Sequence, residues 1–158
     1  MTQKINQDFF ARSAVIVARE LLGKRIIREL SPTKEIVGRI YEVAAYQGET
    51  DSTSDVIDYV PGTIGISRKF GKFLIDVSAG SGNQRACITL VSALFDDGLA
   101  QGPGNLSKML QIDESFNGLP IVNNSLYLES DSFEVPEIRT RKKSNASENC
   151  KGFFYIRA

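Results

Sequence analysis

The chain has 158 residues, 42% of them apolar, and its nineteen basic and nineteen acidic side chains cancel to zero net charge. That length predicts one domain, residues 1–158, with enough apolar content to bury a core. Neutrality argues against nucleic-acid binding driven by overall charge, leaving only a local basic patch for that role. The absence of histidine removes the commonest metal ligand and general base.

In chain order, Ser13 precedes Ala14, Val17, Ala18, Leu21 and Leu22, which fall at helical spacing, and Gly23 sits where a helix ends. Lys24 to Leu30 reads as a strand, residues 31–34 as a hairpin turn, and Ile36 to Tyr46 as its antiparallel partner. Residues 47–61 are polar and read as a surface loop. Ile64 to Ile66 and Phe70 to Val77 read as strands, Ala79 to Asn83 as a turn, and Ala86 to Phe95 as a central, continuously apolar strand. A short helix is expected from Asn105 to Gln111, with Leu106, Met109 and Leu110 on one face. Leu126 to Glu129 and Phe153 to Arg157 read as strands around a basic segment, Arg139 to Asn149. Cys87 and Cys150 lack metal-ligand spacing and read as free thiols, and no metal site is expected. With no bilayer-length apolar run and no signal pattern at the start, the expected location is cytoplasmic.

Two stretches carry potential chemistry. Residues two apart in a strand share a face, so Glu42, Ala44 and Tyr46 project together. A carboxylate beside an aromatic wall suits base excision, in which an extruded base stacks and an acid activates water. The plainer alternative is a solvated glutamate and a core tyrosine. Ser67-Arg68-Lys69-Phe70-Gly71-Lys72 interleaves cations with an aromatic, as a phosphate-holding hairpin with a wedge would. The alternative is a charged hairpin edge with a half-buried phenylalanine. Arg139, Arg141, Lys142 and Lys143 could also meet phosphate, as could backbone amides after Gly102-Pro103-Gly104; a tight turn explains the latter equally well. Glu49, Asp51, Asp55 and Asp58 match no cation-loop spacing.

Five pieces occur in an order that resembles the alkyladenine (3-methyladenine) DNA glycosylase family over almost the whole chain. They are Asp8-Phe9-Phe10 through Gly23, Gly38-Arg39-Ile40 through Tyr46-Gln47-Gly48, Pro61-Gly62-Thr63, Gln101 through Gly104, and Phe154 through Arg157. The resemblance implies a single mixed α+β domain with a curved antiparallel β-sheet flanked by helices. It implies a monomer that acts on double-stranded DNA without metal or organic cofactor, in base-excision repair of alkylated purines. By the same resemblance, Tyr46 stacks on the flipped base and Phe70 is the intercalating aromatic, with Arg68, Lys69 and Lys72 beside it on the DNA.

The departures from the family pattern fall where chemistry would occur. Ala44 stands in place of the glutamate that activates water. The pocket histidine falls near Asp55, and the pocket asparagine at Asp76 or, without a one-residue slip, at Val77. Ser92 replaces an arginine and Asn105 a lysine. Glu42 and Asp76 are the candidate substitute acids, although Glu42 lies about 7 Å along the strand from Ala44 (two residues at roughly 3.3 Å). Losing a general base costs about 10²–10⁴ in rate. The expectation is therefore weakened or lost catalysis, with residual release of cationic methylated purines and almost none of hypoxanthine. The alternatives are a non-catalytic DNA- or lesion-binding relative, or a scaffold that has left DNA.

Overall fold

Alternating and continuous apolar runs resolve into ten strands in the computed structural model, which describes residues 2–48, 58–82, 84–141 and 150–157. Glu49, Asp51, Asp55, Asn83, Lys142 and Lys143 lie outside the described residues. The strands are β1 (Gln3–Lys4), β2 (Arg25–Ser31), β3 (Lys34–Gln47), β4 (Ile64–Lys69), β5 (Lys72–Ser81), β6 (Gln84–Phe95), β7 (Gly98–Gln101), β8 (Leu126–Ser130), β9 (Arg139–Arg141) and β10 (Cys150–Tyr155). Two helices accompany them, α1 (Ala14–Leu21) and α2 (Pro103–Met109).

All the strands join one antiparallel sheet in the order β1-β8-β2-β3-β6-β5-β4, with β10 between β3 and β9 and with β7 on β6. The fourteen-residue β3 is its spine. One edge of β3 pairs first with β2, from Lys34 to Arg39, and then with β10, from Glu42 to Tyr46. The other edge pairs with β6 from Arg39 to Gln47. The central strands β3 and β6 are thereby paired on both edges over much of their length, which their burial requires.

The helix expected after Ser13 forms because its apolar residues recur on one face: Ala14, Val17, Ala18 and Leu21 are fully buried. Ser13 takes the extended N-cap conformation and Gly23 follows the helix at φ 84°. This face packs on β3, β6 and β10, against a core that includes Tyr41, Val43, Ala45, Ile88 and Leu90. Each large apolar side chain buried there contributes roughly 1.5–3 kcal/mol.

Several boundaries differ from expectation. Phe70 is not the first residue of a strand: Lys69 pairs with Lys72, and Phe70-Gly71 form the two-residue turn between β4 and β5. Both turn residues have positive φ, 52° and 75°, as a tight hairpin matched to strand twist demands. Residues 79–81 continue β5 rather than turning, because Ala79, Gly80 and Ser81 pair with Ala86, Arg85 and Gln84. Helix α2 starts at Pro103, whose fixed φ and missing N–H suit the first helical turn, and Leu106 and Leu110 are buried beneath it. The short strands β1, β7 and β9 carry too few residues to show periodicity.

Candidate functional site

Strand alternation sends β3 in two directions. Tyr41, Val43 and Ala45 enter the main core, whereas Ala44 belongs to a separate small cluster with Val91 and Phe153, against which Tyr46 and Cys150 pack. The pairing of β3 with β6 is irregular on both sides of Glu42, between Ile40 and Glu42 and again between Glu42 and Val43. These bulges let Ile40 and Tyr41 both reach the core while Glu42 stays on the face of Ala44.

Register places five side chains in one row across that face. Asp76 of β5 pairs with Thr89 of β6, Thr89 with Ala44 of β3, Ala44 with Phe153 of β10, and Phe153 with Arg141 of β9. The neighbouring row runs Ser78, Cys87, Tyr46, Cys150. Asp76 and Ala44 are thus two strands apart, about 10 Å at the backbone.

Asp76 is 2% exposed, and its Oδ1 accepts a 2.6 Å hydrogen bond from the Thr89 hydroxyl. Burial disfavours its charge and pushes the carboxyl up to about 7, a shift that the Thr89 bond opposes. Its neighbour Val77 faces the main core, so of the two registers considered for this position, Asp76 is the one on the site face. Tyr46 is half-buried, and its phenol is pushed up to about 12 by burial first and then by Cys150, Asp76 and Cys87. Burial likewise raises the Cys87 thiol. Near neutral pH the tyrosine is an uncharged aromatic surface, suited to stacking.

Glu42 is not the solvated strand residue of the plainer sequence reading, because it is only 5% exposed. Its Oε1 accepts from the Ser92 hydroxyl at 3.4 Å, and its Oε2 lies 3.5 Å from an Arg141 guanidinium nitrogen without a hydrogen bond. Arg141 in turn covers the Tyr155 ring at 4.8 Å. Ser92 also accepts from the backbone N–H of Gly102, tying the start of α2 to this carboxylate. Glu42 is therefore anchored towards β6 and β9, and must break those contacts to reach over Ala44.

Position 44 itself is closed. Ala44 is 1% exposed and packs in one cluster with Val91 and Phe153, so a longer side chain there has to displace its neighbours. The hairpin carries the other expected group: Phe70, at its tip, is 93% exposed rather than half-buried, with the Lys69 ammonium 5.9 Å from its ring. Arg68, Lys69 and Lys72 are exposed around it. Asp76 lies four residues beyond Lys72, the first residue of β5, about 13 Å along the strand. The tip lies towards the Glu42 end of the site face.

The structure thus brings Glu42, Asp76 and Tyr46 to one face and sets Arg68, Lys69, Phe70 and Lys72 on a separate projection. Arg141, Thr89 and Phe153 join the site without having been singled out for it, and Ser92, expected there only as a departure from the family pattern, bonds Glu42. Arg141 was legible only as part of a basic run. Asp58 of the acidic loop forms an ion pair with Arg85, and among the described residues no cluster of acidic or cysteine side chains could hold a metal. Asn105 bonds the Gln101 carbonyl at 2.7 Å, capping the turn before α2.

Residues 8–60 match the family model described as methylpurine-DNA glycosylase. Similar curated proteins, each named "Putative 3-methyladenine DNA glycosylase", come from several bacteria. One from Borrelia garinii subsp. bavariensis is 32% identical over 147 residues, covering 80% of this chain and 78% of its own length. One from Desulfitobacterium hafniense is 27% identical over 176 residues, covering 89% and 86%. One from Borreliella burgdorferi is 33% identical over 145 residues, covering 79% and 77%.

Proposed function

This chain belongs to the methylpurine-DNA glycosylase family, and from that premise we propose that it binds duplex DNA and slowly releases cationic alkylated purines, with Asp76 in place of the acid missing at Ala44. The observation that carries the reading is the row from Asp76 through Thr89 to Ala44, with Tyr46 beside it. In this reading the whole chain is one glycosylase-like domain with a curved sheet. Phe70 enters the duplex at the extruded nucleotide, Arg68, Lys69 and Lys72 meet phosphates, and Tyr46 stacks on the extruded base.

Chemically, a water oxygen bonds to the sugar carbon, the bond from that carbon to the purine nitrogen breaks, and its electron pair neutralises the cationic base. The water proton passes to Asp76. A cationic purine leaves without being protonated, so one carboxylate suffices; a neutral base such as hypoxanthine needs more assistance and is released far more slowly. Asp76 exchanges its proton near pH 7, where a general base works best. Glu42 is the weaker candidate, because Ser92 and Arg141 already hold its oxygens.

A second reading, lesion binding without release, is favoured by one observation: Val91 and Phe153 fill the space beside Ala44. Single-turnover base release from duplexes carrying methylated purines separates the two. Release that rises with pH through about 7 and falls about 10²-fold or more in Asp76→Asn supports the proposal. Release unchanged in Asp76→Asn but lost in Glu42→Gln moves the role to Glu42. Tight lesion binding with no release by the parent chain establishes the second reading.

A further inference from the structure

The six ion pairs among the described residues engage Arg12, Arg25, Arg39, Arg85, Arg139 and Arg141. Arg68, Lys69, Lys72 and Lys108 take part in none of them. Seven other described cations are also outside these pairs, but these four stand together around the β4–β5 hairpin and α2, a local positive patch in a chain of zero net charge. Between hairpin and helix runs an open groove of about 330 Å³, lined by Lys72, Phe73, Asn105, Lys108 and Gln111 among others, with no carboxylate in its wall.

The groove is built by packing. The Ser107 hydroxyl bonds the Phe73 carbonyl at 2.7 Å and fixes α2 to β5. Gly104 lets the Lys72 stem cross the first turn of the helix: a Cβ at that position would lie 2.3 Å from Lys72 Cδ and 3.0 Å from its Cβ. The Lys72 stem therefore lies along the helix, on the wall that also carries Lys108. Two ammonium groups and two side-chain amides, with no acid among the lining residues, make a surface suited to an anion, continuous with the hairpin that exposes Phe70.

We propose that this groove seats a phosphodiester of the DNA strand that passes the hairpin, held by Lys72 and Lys108. The inference rests on the DNA reading above and adds α2 to the interface. It gives the hairpin a second, fixed contact to the same backbone, so that an aromatic at the tip meets the duplex in one orientation.

The test is the dependence of duplex binding on salt, read as the slope of log affinity against log salt for undamaged and lesion-bearing DNA. Each neutralised phosphate contributes about 0.9 to that slope. Lys108→Gln should lower the slope by about 0.9 on both duplexes, whereas Lys34→Gln, at the β2–β3 turn, should leave it unchanged. Gly104→Ala keeps every charge but displaces the Lys72 stem, and should lower the slope part of the way. A steep parent slope left intact by Lys108→Gln and Gly104→Ala overturns the groove while leaving DNA binding in place. A flat parent slope removes the DNA reading itself. Saturable binding of inorganic phosphate that Lys108→Gln abolishes, with the DNA slope unaltered, would make this a small-anion pocket and also overturn the proposal.

Discussion

The two faces of β3, β5 and β6 are made by the same backbone and differ in the side chains they bury. On the core face, Val43, Ala45, Ile88 and Leu90 are fully buried and wholly apolar. On the other face, Glu42, Asp76, Thr89 and Ser92 are almost as buried and are polar or ionisable. Ser78 lies on that face too, at the Tyr46 end, and accepts a backbone N–H from Thr63. A sheet that needed only stability would not bury two carboxylates on one side, because each unmade hydrogen bond costs about 1–3 kcal/mol. The core face supplies the free energy that lets the opposite face hold buried polar and ionisable groups.

The sharpest way to break this contrast is to truncate one residue on each face. Leu90→Ala should lose about 2–5 kcal/mol in denaturant unfolding, and its neighbour Val91→Ala clearly less. Equal losses would mean that the two faces are one core.

Next in size is Asp76→Asn. With the folded carboxyl raised to about 7 and the unfolded one near 3.8, both states hold the proton below about pH 4. Between about 4 and 7 only the folded state holds it, so stability falls as pH rises across that window and then levels. Asparagine removes this slope and should gain on the order of 2–4 kcal/mol at pH 8, while releasing less base. Unfolding titrations of the two proteins from pH 4 to 8 should converge at the acid end; parallel curves would mean that Asp76 ionises freely.

Ala44→Glu tests the closed floor. The added side chain meets Val91 and Phe153, and a loss of about 1–3 kcal/mol is expected from overpacking. A gain in stability would show that the floor is open. Smaller still, Arg141→Ala leaves the Glu42 carboxylate without its cation and should cost about 1 kcal/mol, muted because Arg141 is 42% exposed. In the Glu42→Gln background the same change should cost less, leaving only the lost Tyr155 contact, and a double-mutant cycle reads the difference.

The mildest effect is expected outside both faces, at Arg39 and Asp131. Hydrogen bonds from Arg39 are the main cause that lowers the Asp131 carboxyl to about 2. Its stabilisation is present above about pH 4, the unfolded range, and is lost as pH falls towards 2. Asp131→Asn should flatten that acid limb by no more than about 1 kcal/mol.

Much of the scaffold could be read directly. The helical spacing from Ala14 to Leu22, the turn at Pro32-Thr33 and the apolar run from Ala86 to Phe95 are local patterns, and each formed close to where it was expected. The shared face of Glu42, Ala44 and Tyr46 follows from strand periodicity alone. Phe70 was legible as a hairpin aromatic, but not as the turn residue itself, because an aromatic at positive φ runs against its own preference and only Lys69–Lys72 pairing imposes it.

The sequence by itself thus determined which residues alternate, which helix is amphipathic and which family pattern the chain follows, since these depend on neighbours a few residues apart. Only the tertiary structure decided that Asp76 rather than Val77 joins the site face, that Arg141 reaches Glu42 across β10, and that Lys72 and Lys108 line one groove. Those relations depend on strand register and on packing between residues tens of positions apart. A one-residue slip in register turns a side chain to the opposite face, and no local pattern carries that information.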